Sequence, residues 1–391
     1  LCTLTACNDS KNEDSIDPDP LPPSITYHVE GYAELGAFDH NSTLTVFPLD
    51  KSLAHIEEQA YGGKVETDYG LFSASGNMKF QESLYFEVQV SGNFFNGTKG
   101  RRSEHKTTLR AINHVINHDD EERSINRYIK LPVTNVNIFT QLTAARICTL
   151  LKKAAGYNEM SHTITDIYRN ASEQALKEVL TAFSISDIYV SMLSIDPTRA
   201  SFSQYNAPAS MMAAVSNILL TSVDEELLDT FFTEWDKDFA PDGCIDNEDI
   251  KESIRDGQQS LKYTNVYKQL DSFYKAYDFK SDFPEFWKFV DRNGDGILDK
   301  QDKPDDFEIT EEELTPSQQQ CIQLLEQVNK YLRDFLQTEC VWEANFCGAI
   351  GPIPDYPTTL VPTDSEVYEI WTAAYATIRQ CNYMIHILTS K

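Results

Sequence analysis

The stretch VNIFTQLTAARICTLLKKAAG, residues 136–156, marks a change in how apolar residues repeat along the chain. Before it, short runs alternate polar and apolar residues; within it, apolar residues recur every three or four positions, the period of an α-helix. The residues that define this helical face are Ile138, Leu142, Ala145, Cys148 and Leu151 or Lys152. We therefore predict that a β domain ends and a helical domain begins near residue 135.

Residues 25–134 have the pattern of an all-β domain. Runs such as ITYHVEGYAEL and SLYFEVQVSG alternate polar and apolar side chains, as strands with one face in a core do. Turn-forming residues, among them Gly62-Gly63 and Asn96-Gly97, separate the runs. The pattern predicts an antiparallel β-sandwich of about seven strands.

Residues 135–280 continue with helical periodicity. Apolar residues at helical spacing, some preceded by an Asp, Ser or Thr that can cap a helix, predict five further helices. Their predicted ranges are Ile164–Phe183, Ala209–Leu220, Asp224–Phe239, Glu248–Ser260 and Tyr263–Ala276. The predicted fold class is α+β and multidomain: an antiparallel β-sandwich, an all-α helical domain and a C-terminal helical segment.

The chain is strongly acidic, with 33 Lys and Arg residues against 61 Asp and Glu residues and a formal charge of −28. This charge repels phosphate backbones and removes the counterion release that drives nucleic-acid binding. We therefore exclude nucleic acid as a partner and expect an affinity for cations. No run of about 18 apolar residues occurs, so the sequence predicts no membrane-spanning helix.

Common catalytic motifs are missing from the sequence. It has no GxSxG, HExxH, P-loop or GxGxxG pattern, and its eight cysteines lack zinc-like spacing. His114 and His118 with Asp119 and Asp120 could bind a metal, but they follow a predicted strand, where their spacing does not bring them together. We predict a protein that is not an enzyme.

The segment DRNGDGILDKQD, residues 291–302, has the spacing of a calcium-binding loop. Alternate side chains of such a loop converge on one point, and Gly296 at position 6 permits the sharp bend. The predicted Ca²⁺ ligands are Asp291, Asn293, Asp295, the Ile297 carbonyl, Asp299 and Asp302. Because Asp302 stands where EF-hands have a longer Glu, the loop resembles dockerin-type and extracellular calcium loops. We expect a structural Ca²⁺ at a domain junction, residues 281–310; an unoccupied acidic turn is the alternative.

The opening segment Leu4-Thr5-Ala6-Cys7 resembles the lipobox of bacterial lipoproteins, where a peptidase cleaves before a cysteine that then carries acyl chains. The resemblance implies that Cys7 is lipidated and that residues 1–6 remain from a signal peptide. Residues 8–24 are rich in Asp, Ser and Pro and would form a flexible linker, so that residues 1–24 comprise the signal-peptide remnant, the lipobox and this linker. The acidic residues after Cys7 resemble the surface-export signal of Bacteroidetes lipoproteins, which implies a surface-exposed position on the outer membrane. A chance cysteine in a disordered tail is the alternative.

Two further patterns resemble Bacteroidetes lipoproteins. VEGYAELGAFDHNSTLTVFPLD followed by TDYGLFSA resembles prealbumin-like sandwich domains, which are related to carboxypeptidase regulatory domains. NIFTQLTAARI and ASEQALKEVLTAF resemble the helices that follow this sandwich in a group of these lipoproteins. The resemblance implies a spacer or recognition module and assigns no chemistry.

The last segment, residues 311–391, resembles the beginning of SusD-like proteins. It carries a W-x3-Y-x2-I-x3-N pattern, formed by Trp371, Tyr375, Ile378 and Asn382, that is similar to their first core helix. SusD-like proteins bind glycans or peptides and cover a SusC-like, TonB-dependent outer-membrane transporter. Because the helix pairs that follow in that family are missing, we expect a truncated chain or a second chain that completes the domain.

These expectations give one leading hypothesis: a calcium-stabilised, lipid-anchored outer-membrane protein that captures a glycan or peptide nutrient beside a SusC/SusD-type transporter. Its partners would be the SusC-like transporter, a SusD-like chain or both. The alternative is a structural or adhesion lipoprotein whose domains form a calcium-stabilised stalk. Nothing specific in the sequence supports a hydrolytic enzyme.

Overall fold

A computed structural model describes residues 26–77, 84–115, 128–158, 164–185, 195–204, 206–277, 283–298 and 300–304. Within these residues the fold is mixed α+β, with a curled β-sheet first and six α-helices after it. The order of sheet and helices agrees with the predicted α+β class. Residues 305–391, which include the predicted SusD-like segment with Trp371 and Tyr375, lie outside the described residues.

The sheet is built mainly from strands in the first part of the chain. The strands are β1 Thr26–Glu34, β2 Thr43–Leu49, β3 Tyr61–Val65, β4 Leu71–Asn77, β5 Tyr85–Gly92, β6 Phe95–Asn96, β7 Arg101–Arg102, β8 Thr107–His114, β9 Tyr128–Lys130 and β10 Val136–Asn137. Buried residues alternate along β1, β2 and β4, as the sequence predicts for strands with one face in a core.

Eight of the strands form one sheet with the order β10-β1-β4-β3-β2-β5-β8, and β9 also pairs with β1. The β6–β7 hairpin forms a separate two-stranded sheet. All pairs are antiparallel except those of β1 with β9 and β10, which are parallel. The sheet curls so that β10 approaches β8 at the other end of the strand order. The described sheet thus differs from the predicted antiparallel sandwich, because two short parallel strands extend the β1 edge.

The six helices are α1 Ile138–Lys153, α2 Ile164–Ala182, α3 Ala207–Ser222, α4 Leu228–Phe239, α5 Glu248–Ser260 and α6 Tyr263–Lys275. Their positions confirm the helices predicted from periodicity, with the same bounds for α5. Helix α1 begins with a capping box, in which Asn137 Oδ1 accepts a hydrogen bond from Thr140 N at 3.0 Å and Asn137 N donates to Thr140 Oγ1 at 2.8 Å.

One hydrophobic cluster joins the sheet to the helices. It includes Val88 of β5, Leu142 of α1 and Ile218 of α3, all fully buried. Helix α1 is buried around most of its circumference, because the sheet covers one side and α2 and α4 cover others. The assignment of residues 25–134 and 135–280 to separate domains therefore stays a prediction.

Helix side chains also cover the outer edge of β8. Three of its backbone groups, which another strand would otherwise bind, form hydrogen bonds with side chains of three different helices. The pairs are Thr108 N with Asp229 Oδ1 at 3.1 Å, Arg110 N with Gln141 Oε1 at 2.9 Å, and Ile112 O with Tyr168 Oη at 2.6 Å. The helices thus satisfy an edge that would otherwise be open to strand addition.

None of the described helices is both long and apolar enough to cross a membrane. The described tryptophans, Trp235 and Trp287, are both buried, as expected for core residues.

Candidate metal centre

The predicted calcium-binding loop follows a buried aromatic segment. Phe286, Trp287, Phe289 and Val290 are all buried in the hydrophobic cluster. This segment contains a three-residue 3₁₀ helix, Trp287–Phe289. Burial of nearly every side chain suits a compact turn rather than a helix with one exposed face. This segment attaches the start of the loop to the core.

Asp291, the first predicted ligand, lies at the centre of the loop. Its side chain is buried, its Oδ1 accepts a hydrogen bond from Gly294 N at 2.8 Å, and its Oδ2 accepts one from Gly296 N at 2.9 Å. Both glycines have positive φ, +74° and +80°, a backbone conformation that side chains disfavour. The glycines therefore allow the loop to wrap around one carboxylate.

The next two predicted ligands repeat this local geometry. Asn293 Oδ1 accepts a hydrogen bond from Asp295 N at 2.9 Å, and Asp295 Oδ1 accepts one from Ile297 N at 2.8 Å. Each is an Asx turn, in which the side-chain oxygen binds the backbone two residues on. The short side chains at alternate positions thus stabilise this part of the loop by local contacts.

Asp302 closes the loop from its other end. It lies in a 3₁₀ helix, Lys300–Asp302, and is only 1% exposed. Its Oδ1 accepts hydrogen bonds from Arg292 N at 2.8 Å and Asn293 N at 3.3 Å. A carboxylate from position 12 therefore reaches the first positions of the loop, as a calcium-binding loop requires.

The remaining predicted residues differ in their placement. The Ile297 side chain is 62% exposed, whereas Leu298 packs against the hydrophobic cluster. Asp299 lies outside the described residues. Among the described residues, no group of three or more His, Cys, Asp or Glu side chains is arranged to hold a metal ion. Carboxylate oxygens of the loop accept backbone N–H groups, and a Ca²⁺ would have to bind their remaining lone pairs.

The other predicted site residue, Cys7, lies outside the described residues. His114 is described and is buried beside Tyr168, with a ring-centroid distance of 4.7 Å. His118, Asp119 and Asp120 lie outside the described residues.

Sequence reasoning did not identify two polar groupings of the structure. One lines a cavity beside His114, and the other surrounds Glu87 on β5. The only sequence signal for the second was the presence of charged residues within strands, at Glu87 and Arg110. Strand pairing places these two residues near each other, and pairing cannot be deduced from either strand alone.

Comparison of the chain with protein-family models, with curated proteins and with solved structures finds no match. The resemblances to lipoproteins and to SusD-like proteins therefore rest on the residues quoted above.

Proposed function

We propose that this protein is a calcium-stabilised, non-enzymatic lipoprotein of the outer-membrane surface that binds a glycan or peptide nutrient beside a SusC/SusD-type transporter. Its role would be to hold a binding surface near the transporter, where tethering raises the effective concentration of that surface. Cys7 would carry the lipid anchor, and residues 8–24 would form the spacer between anchor and fold.

The observation that carries the calcium part of the proposal is the closed loop of residues 291–302. Asp291 and Asp302 are buried at its two ends, and the side chains of Asn293 and Asp295 stabilise the turn between them. Ca²⁺ prefers hard oxygen ligands supplied by such a loop. Binding would neutralise the buried carboxylates at the two ends of the loop, and would therefore stabilise the folded state.

The calcium proposal is tested by thermal unfolding of the full chain, once with CaCl₂ and once with EGTA, each at about 1 mM. We expect a higher Tm with calcium, because an ion that binds only the folded state stabilises it. Asp295→Asn should largely remove this difference while keeping the oxygen that accepts the Ile297 N–H group.

Glu58→Gln provides the matched control, since it removes one negative charge from an exposed residue outside the loop. It should keep the full calcium response. An identical Tm in calcium and in EGTA would contradict the role of the loop.

Testing the lipid anchor and the transport role requires protein from native membranes. We expect mass spectrometry of the native protein to find acyl chains on Cys7, and solubilised outer membranes to yield the protein together with a TonB-dependent barrel. An unmodified Cys7 peptide would refute the anchor. A lipidated protein recovered without any barrel would instead favour the structural or adhesion role.

A further inference from the structure

A cavity of about 470 Å³ lies where the end of β8 meets helix α2. Two loops complete its wall, one around residues 132–133 and one at residues 195–199. Helix α2 contributes Thr165, Tyr168, Arg169, Ser172 and Glu173, whose spacing of three and four places them on one helical face. The volume is in the range of about 300–1,000 Å³ that small-molecule sites occupy.

The inner wall of the cavity is polar but uncharged. His114 lies with Nδ1 3.1 Å from Asn113 Oδ1 and with Nε2 3.1 Å from Thr165 Oγ1. Burial lowers the pKa of His114 to about 4, so its ring is neutral at neutral pH. The inner wall therefore offers hydrogen-bonding groups without a net charge.

Four charged residues, two of each sign, line the rest of the cavity: Arg169, Arg199, Glu173 and Asp196. Each of the four forms a hydrogen bond or an ion pair with a nearby residue. Asp196 Oδ1 accepts hydrogen bonds from Thr198 N at 2.9 Å and Thr198 Oγ1 at 2.7 Å, while its Oδ2 lies 3.7 Å from Arg199 Nε.

On helix α2, the other two charged residues have partners that lie outside the cavity wall. Arg169 Nη2 lies 2.7 Å from Asp166 Oδ1, and Glu173 Oε1 lies 3.3 Å from Lys177 Nζ. A guanidinium has five N–H donors, and a carboxylate has about four lone-pair sites. These contacts use only part of that capacity, so both groups retain donors or acceptors for a ligand.

The cavity also has an apolar wall, formed by Pro132, Val133 and Ile195. Ile195 is buried, and Val133 is partly exposed. The lining thus combines two cations, two anions and an apolar surface in one small space. A ligand that matches it has no net charge, carries both a cationic and an anionic group, and has an apolar part.

We infer that this cavity binds a small zwitterion, namely an amino acid or short peptide, with Arg199 and Arg169 binding the carboxylate, Glu173 and Asp196 binding the ammonium group, and Ile195 contacting the side chain. The assignment narrows the proposed nutrient to the peptide class, and its biological role rests on the proposed function.

A sugar fits the same cavity less well. Sugar sites commonly offer an accessible aromatic face, but the Tyr168 ring is only 3% exposed and packs against His114. Among the described lining residues, Tyr168 and His114 are the only ones with aromatic rings. The ring that could stack on a sugar is therefore already covered by the protein.

The test is isothermal titration of the full chain with the dipeptide L-leucyl-L-alanine and its two blocked forms. N-acetylation removes the ammonium charge, and C-terminal amidation removes the carboxylate. We expect saturable binding of the dipeptide and at least about tenfold weaker binding of each blocked form, because each lacks one charged contact.

Two variants test which residue binds each charged end of the dipeptide. Arg199→Gln should weaken binding of the dipeptide by about tenfold but leave the amidated form, which lacks the carboxylate, little affected. Glu173→Gln should give the reverse pattern with the N-acetylated form. Arg255→Gln, which removes an exposed arginine of α5 outside the cavity lining, is the matched control and should bind as the unchanged chain does.

Equal affinities for the free and blocked dipeptides, or no binding of the free dipeptide by a chain whose Tm shows that it is folded, would overturn the assignment. Binding of maltose that Arg199→Gln abolishes would assign the cavity to a sugar instead. The titration uses neither membrane nor transporter, so a failed anchor or transporter experiment leaves its result unchanged.

Discussion

Glu34 and Glu87 are two buried glutamates of the same sheet with opposite protonation behaviour. Glu34 ends β1 and is 0% exposed, and Glu87 lies within β5 and is 3% exposed. Burial alone raises the pKa of a carboxyl group, because it penalises the charged form. Their different neighbours decide which form each glutamate adopts.

Within the described part of the chain, the hydrogen-bond partners of the Glu34 side chain are neutral. Its carboxylate accepts hydrogen bonds from Ser201 Oγ at 3.2 Å and from Phe202 N at 3.1 Å. Burial raises the pKa of Glu34 to about 8, and these two hydrogen bonds only partly oppose the effect. Glu34 is therefore mostly protonated at neutral pH.

Glu87 is surrounded by donors and positive charge. Its Oε1 lies 3.1 Å from His55 Nε2 and 2.6 Å from Gln89 Nε2, and its Oε2 lies 3.7 Å from Arg110 Nη1. Burial would raise the pKa of Glu87, but the hydrogen bonds and the charge of Arg110 outweigh it, and the pKa is lowered. Glu87 is therefore ionised at neutral pH.

The comparison shows that burial of a carboxyl group does not determine its charge. The hydrogen bond from His55 and the charge of Arg110 keep Glu87 ionised, while Glu34 lacks a charged partner among the described residues. The Glu87 group also connects the sheet to α4, because Arg110 Nη2 lies 2.5 Å from Asp236 Oδ2. Arg110 thus links β5, through Glu87, to α4, through Asp236, and both carboxylates share this one arginine.

The largest expected effect comes from Glu34→Gln, which would make the first glutamate permanently neutral. Because the pKa of Glu34 is raised in the folded state, its contribution to stability is full below about pH 4.5 and is lost as the pH rises to about 8. The free energy of unfolding of the unchanged chain should fall relative to that of the variant by up to about 1.4 kcal/mol per pH unit, or about 3.5 kcal/mol from pH 5 to 8.

Urea unfolding at several pH values measures this difference. Glu30→Gln on the same strand is the control, since a hydrogen bond from Lys130 lowers the pKa of Glu30 and leaves it ionised across this range. Parallel stability profiles for the unchanged chain and Glu34→Gln would contradict the raised pKa.

The second largest effect is expected when Glu87 loses the arginine that contacts it, Arg110. Arg110→Met should reduce the free energy of unfolding at pH 7 by about 3 kcal/mol, because it leaves Glu87 and Asp236 without their shared partner. Denaturant unfolding measures the loss. Arg255→Met, on an exposed face of α5, should change stability by less than about 0.5 kcal/mol; an equally small effect of Arg110→Met would show that the pair contributes little.

The smallest expected effect concerns the histidine beside Glu87. The hydrogen bond to Glu87 raises the pKa of His55, so its contribution to stability is full below about pH 6.5 and is lost as the pH rises through the raised value. His55→Gln keeps a donor without the charge and should cost about 1 kcal/mol at pH 6 and less at pH 9.

Chemical unfolding at both pH values checks this prediction. His105→Gln should have a smaller effect, since its pair with Glu226 is exposed and spans 3.9 Å. A cost for His55→Gln that does not change with pH would mean that charge plays no part in the contact.

Local sequence pattern predicted the helices better than the sheet. Helix α5 has the bounds expected from its periodicity, and the turns of residues 291–297 follow from Asn, Asp and Gly acting on neighbouring backbone. Strands β9 and β10 were missed, because they are too short for alternation to be visible. Their parallel pairing depends on β1, which lies far away in the sequence.

The burial of Glu34 and Glu87 likewise could not be predicted from local sequence pattern. In the alternating pattern of β5, Glu87 belongs to the face opposite Phe86 and Val88, which predicts exposure, but helix α1 covers that face beside Ile112 and Tyr85. Glu34 follows the inward-facing Ala33, and its buried carboxyl group contacts residues 201–202. The cavity beside His114 likewise forms from segments that are distant in the chain.

The sequence alone determined where the helices and the longer strands form and how residues 291–297 turn, because these features depend on residues within a few positions of one another. Only the tertiary structure decided which outward-facing side chains become buried, which carboxyl groups stay ionised and where four charges surround a cavity. These properties depend on contacts such as that of Glu34 with Phe202, 168 residues apart, which no local pattern contains.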